Sequence, residues 1–260
     1  MNKCVMAILL SLSVSGVAAQ QGDEATLAAV TEYTKAQEAL KNGQVDAAIQ
    51  SFEKAVSLNP ELFLSHYYLG AAYQSKKNNA KTLEHFQKFL QRAGADSGGA
   101  PVVAANRGCG VALYKSKQVA KAVPYLKRAV KGNAKDVEVQ LYLGMALRTT
   151  DEAAAEGHFA KVIELNPKAA VAYYYAGRIA FKRGNTQAAS QRLEGYVALK
   201  SSGARAAQAH YMLASLASQA GDNDKAAEHY EKCIASDPQG SQAEKAKELL
   251  AQVKGGAPSS

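Results

Sequence analysis

The sequence predicts an all-α fold, a solenoid of six antiparallel helix pairs followed by a C-terminal capping helix. Three features predict it. The first is internal repetition: the leading small residue of successive copies is Ala48, Thr82, Ala122, Ala155, Ala189 and Ala226, a unit of about 34 residues with two insertions. The second is a fixed pair of sizes within each copy. A large residue follows the small one by four positions (Phe52, Phe86, Leu126, Phe159, Leu193, Tyr230), and a further small residue precedes it by eleven or twelve (Ala36, Gly70, Gly110, Gly144, Gly177, Ala214). Small residues let two helices approach, and the large one fills the remaining gap. The third is composition: only 6 Pro and 20 Gly stand in 260 residues rich in Ala, Leu, Lys, Gln and Glu, which favours helix and excludes collagen-like or low-complexity chains.

Taken in order, residues 1–19 read as a secretory signal peptide: Lys3, the apolar run Val5 to Leu12, then small residues up to Ala19 before Gln20. That apolar run is far shorter than a membrane-spanning helix requires. Cys4 precedes it and residues 13–22 contain no cysteine, so no lipoprotein site is expected, and the mature chain should be soluble in a periplasm or outside the cell. Residues 20–28 form a lead. The six repeats occupy 29–62, 63–96, 103–136, 137–169, 170–203 and 207–238, with Pro60, Pro167 and Pro238 stopping second helices. Repeats two and five lack that proline and place Phe89 and Tyr196 where the others have Ala55, Ala129, Val162 or Cys233. A ring in a methyl's place should push helices apart, so 96–101 and 200–205 are expected to be loose joints. Residues 239–254 should form the cap, with Ala246, Leu249, Leu250 and Val253 on one face, and 255–260 a disordered tail.

Leu69-Gly70 with Tyr73, and Leu143-Gly144, each followed by the small and large positions, resemble the tetratricopeptide repeat (TPR), and the resemblance covers about residues 29–238. It implies a right-handed α-solenoid of six TPR helix pairs whose first helices line a concave groove. Carried onto this chain, the groove positions give Tyr33, Tyr67, Arg107, Tyr114, Leu141, Arg148, Tyr174, Arg178, Phe181 and Tyr211. Tyrosine and arginine carry much of the energy of protein interfaces, although the same rings would also serve as packing between helices. Relatives that grip a C-terminal carboxylate use Lys and Asn where this chain has Tyr33, Gln37, Tyr67 and Ala71, so that activity is not expected. The chain is also similar to envelope helper proteins with about six such repeats. This implies a non-enzymatic scaffold or adaptor that binds a segment of another envelope or secreted protein.

No catalytic residue, metal or cofactor is expected. Gly108-Cys109-Gly110 falls inside a predicted helix and follows no strand, and Ser51-Phe52-Glu53-Lys54 is explained by its repeat positions. His66 and His210 share one repeat position; His85, His158 and His229 share another. Equivalent positions of successive repeats are spaced by roughly a helix diameter of 10 Å, too far to share one ion. Cys109 and Cys233 hold packing positions two units apart and are expected to be buried free thiols.

The net charge is +8, and its distribution is one-sided. No Asp or Glu lies between Ser97 and Lys135, where Lys115, Lys117, Lys121, Lys127, Arg128, Lys131 and Lys135 form a candidate basic patch beside Arg107. This field allows an acidic partner, or, as an alternative, an anionic surface or polymer. Export disfavours nucleic acid.

Overall fold

The computed structural model describes residues 18–255, and among them every regular element is a helix. The expected leader, but for its last two residues, and the expected tail beyond Gly255 lie outside the described residues. The chain divides into two compact units, residues 1–118 and 119–260, the boundary falling within the third repeat.

The first unit contains α1 (Ala18–Lys41), α2 (Val45–Leu58), α3 (Leu64–Ser75), α4 (Asn79–Ala93) and α5 (Ala100–Lys115). The lead and the first helix of repeat one are one continuous helix, α1. It packs on α2 through Ala36, Ala48 and Phe52, all fully buried. Helix α4 packs on both α3 and α5, and Phe86 sits at the centre of that contact. A Cβ at Gly70 of α3 or at Gly108 of α5 would come within 3.0 Å of the Phe86 ring, so both positions are glycine for close approach.

The second unit contains α6 (Val119–Gly132), α7 (Val137–Leu147), α8 (Glu152–Leu165), α9 (Ala170–Lys182), α10 (Thr186–Leu199), α11 (Ala204–Gln219), α12 (Asn223–Ser236) and the cap, α13 (Ser241–Gly255). Asp136, Asp151, Asn185 and Asp222 cap α7, α8, α10 and α12, each side chain accepting a hydrogen bond from the backbone N–H three residues on. Phe159 and Leu193 are fully buried against Gly144 and Gly177, the small–large pairing seen in the sequence. The cap buries Ala243 and Ala246, the latter in a cluster with Tyr230 and Cys233.

Second helices end where Asn59 and Asn166 accept hydrogen bonds from the N–H groups of Glu61 and Lys168, with Pro60 and Pro167 between. Turns inside the pairs use left-handed residues: Gly43, Gly184 and Gly221, but Lys77 (φ 58°) and Lys117 (φ 62°) in repeats two and three. The fourth repeat, one residue shorter, turns without one.

The two expected joints differ from the sequence reading. Helix α5 begins at Ala100 and α11 at Ala204, so Pro101 and Arg205 are helical. The remaining loops are tied down: Asn106 Nδ2 donates to the carbonyls of Ala95 and Val102, Gly203 N–H donates to Ser236, and Ser236 Oγ donates to Ser201. Phe89 and Tyr196 are 2% and 5% exposed and are absorbed by other rings rather than displacing helices. Phe89 stacks on Phe63 and meets Tyr67, and Tyr196 meets Tyr174 at 5.2 Å between ring centres.

Candidate partner-binding site

In the first unit the candidate tyrosines form an aromatic seam. Tyr33 meets Phe52 and Tyr68 edge-on at 5.5 and 5.9 Å, and Gln37 Nε2 donates to both tyrosine hydroxyls at 3.1 and 3.4 Å. Burial and the Tyr68 hydroxyl hold the Tyr33 hydroxyl above its ordinary range. Tyr67 lies against Tyr68, Phe86 and Phe89. Tyr33, Tyr67, Arg107 and Tyr114 are all half-buried, so each combines packing with some open surface.

In the second unit the structure forms a cleft of about 680 Å³. Four of the predicted residues, Arg148, Arg178, Phe181 and Tyr211, line it; Leu141 and Tyr174 do not. Tyr174 is 3% exposed, which removes it as a contact residue. Its hydroxyl donates to Gln208, its ring lies against Tyr175 and Tyr196, and the guanidinium groups of Arg178 and Arg205 lie 5.6 and 5.8 Å from its centre. The physical reason is its combined cover: Tyr196, Arg178, Arg205 and Gln208 all lie against it, whereas Tyr67, beside Phe89 alone of such partners, stays half-buried. Burial pushes the Tyr174 hydroxyl upward in pKa.

The sequence reading missed Tyr175, Gln208, Gln242 and Lys245, which also line the cleft. Tyr175 had a signal in its register. It stacks on Phe159 of the preceding repeat as Tyr68 stacks on Phe52, at 5.5 and 5.3 Å, so the sixth position of a first helix repeats a role. Arg148 lies 5.3 Å above the Tyr175 ring. Lys182 also lines the cleft and pairs with Glu152 at 2.6 Å. Nothing in the repeat pattern marks Gln242 and Lys245, because they belong to the cap.

The basic patch divides at the unit boundary. Lys115 and Lys117 close the first unit, both exposed; in the second unit Lys121, Lys127, Lys131 and Lys135 are exposed and Arg128 is half-buried. Among the described residues none of those four lysines engages a carboxylate. The histidines meet within repeats: His66 with His85, His210 with His229, and His158 with Gln140, which holds the position of His66 in its own repeat. Comparing only successive repeats hid this, although both histidine pairs are nineteen residues apart. Cys109 and Cys233 are buried free thiols.

Paired helices with small–large interlocking and an open, mixed aromatic and cationic cleft define an α-solenoid interaction scaffold. Family models agree: the TPR repeat model matches residues 36–77, and the tetratricopeptide repeat model matches 108–170, 150–204 and 176–241. The chain belongs to the tetratricopeptide repeat family. No curated protein matches its sequence significantly. Among solved structures it is similar to YrrB, described as a TPR protein with an unusual peptide-binding site (27% identity, 70% of this chain and 91% of that one, TM-score 0.59). It is also similar in fold to PilF of Pseudomonas aeruginosa (19% identity, 88% and 99%, TM-score 0.56) and to MamA (22%, 69% and 97%, TM-score 0.54). Proteins of this family are generally non-enzymatic scaffolds for protein–protein interaction. Among the described residues no helix is long and apolar enough to cross a membrane.

Proposed function

We propose that the chain is an exported adaptor that binds a segment of another envelope or secreted protein along its first helices. The observation that carries this reading is the cleft of the second unit, where Arg148, Arg178, Phe181 and Tyr211 converge around about 680 Å³ of open space. Arginine and aromatic side chains around a concavity are the side chains that anchor protein segments. The peptide-binding site described for YrrB supports the same use of the fold. Export rests on the order of charge, apolar run and small residues in 1–19.

Two measurements test it. The mature chain should be recovered from the extracytoplasmic fraction with its N-terminus near Gln20, and an intact Met1 in the cytosolic fraction would overturn export. An envelope protein retained by the wild-type chain should be lost from the Phe181→Ala, Tyr211→Ala double variant; equal retention would overturn the cleft as the site.

A second reading is favoured by the four exposed lysines of 121–135: contact with an anionic surface or polymer. Reversing Lys127, Lys131 and Lys135 to Glu should then abolish binding to vesicles with anionic lipid, and unchanged binding would end that reading.

A further inference from the structure

The cleft wall includes Gln242 and Lys245 of α13. A helix whose only task was to shield the last repeat from water would need an apolar face, and Ala243 and Ala246, both fully buried, already supply it. Lys245 and Gln242 share a different side of the helix, and Lys245 is exposed. Charge gives that placement a meaning. Of the four cations lining the cleft, Lys182 is neutralised by Glu152, the one carboxylate in the wall. Arg148, Arg178 and Lys245 engage no carboxylate among the described residues.

We propose that the cleft takes an acidic segment of a partner chain and that Lys245 of the capping helix helps recognise it. This rests on the adaptor reading above and adds the chemistry of the occupant. Each of the two guanidinium groups lies against a tyrosine ring, which restrains the plane of the group while leaving N–H donors for a carboxylate. Three like charges around one open space repel one another, and an anionic occupant removes that repulsion. Phe181, Tyr211 and Met212 add apolar surface, so the fitting segment alternates carboxylates with an apolar side chain. The cap thereby becomes a specificity element.

The test is selection of random peptides displayed on phage against the full chain, followed by anisotropy titration of the recovered consensus at low and high salt. Asp and Glu should be enriched over the starting library. Lys245→Glu and Arg178→Glu should each weaken the consensus peptide by roughly tenfold or more and flatten its salt dependence, because exposed charge pairs set both. Lys247→Glu, on the same helix and outside the cleft, should leave binding unchanged, and thermal midpoints should show each variant folded. A consensus without acidic enrichment, lost in Phe181→Ala with Tyr211→Ala but unaffected by Lys245→Glu, would overturn this inference and leave the adaptor reading standing. Recovery of no binding peptide would overturn both.

Discussion

His66 Nδ1 lies 3.0 Å from His85 Nδ1, and His210 and His229 repeat the contact at 3.1 Å in the sixth repeat. At that distance one ring nitrogen donates its proton and the other accepts, so at least the accepting ring is neutral. Burial drives His85 and His210 down to about 4, and lowers His66 and His229 as well. Glu84 pulls His85 the other way, while Lys81 and Lys88 add to the downward shift.

These depressed values predict acid sensitivity. Unfolded histidine takes up a proton near 6.5, and the folded rings resist until about 4, so their stabilisation is full above 6.5 and is lost as pH falls from 6.5 toward 4. The loss should be read as a urea midpoint that falls with pH across that window. Gln140 shows that glutamine can replace one partner, its Oε1 accepting from the Nδ1–H of His158. His66→Gln with His210→Gln should therefore stay folded and lessen the loss over that window without abolishing it, because burial still lowers His85 and His229.

Gly70→Ala should destabilise the first unit by about 1–3 kcal/mol through overpacking on Phe86. The new methyl would meet ring atoms at 2.5 to 2.7 Å. Adding Phe86→Leu should recover part of the loss in denaturant titration, since the smaller side chain vacates ring space.

Tyr174→Ala should cost about 3–5 kcal/mol and melt the second unit early, because it empties a core position. Tyr211→Ala, at a half-buried position on the cleft wall, should leave the thermal midpoint much closer to wild type while weakening partner binding. The two variants thus separate packing from recognition at one repeat position.

Lys117→Gly should raise stability modestly, by up to about 1 kcal/mol, since a left-handed backbone strains a residue with a Cβ and glycine relieves it. The same change at Lys77 should act alike, and a lowered midpoint for both would contradict the strain.

Much of the fold was legible because close packing leaves size marks in sequence: Gly70 and Phe86, Gly144 and Phe159, Gly177 and Leu193 all meet as their spacing requires. The site was legible only in part. Arg148, Arg178, Phe181 and Tyr211 follow from repeat register, but register is blind to what fills the neighbouring space, so it places Tyr174 in the groove although Tyr196, Arg205 and Gln208 together enclose it. Lys245 and Gln242 lie outside the repeats, where no period points to them. The joints were misread because rings at Phe89 and Tyr196 can be absorbed by partners that size alone does not reveal, Phe63 among them.

The buried cysteines have one further consequence. Among the described residues each unit holds one: Cys109 in the first and Cys233 in the second, both fully enclosed, with burial pushing their thiols up to about 12 and about 11. A thiol reagent can reach either only when the helices around it part. The native sequence therefore carries a separate clock in each half, and the two alkylation rates, assigned by peptide mass, time the opening of each unit without a single substitution.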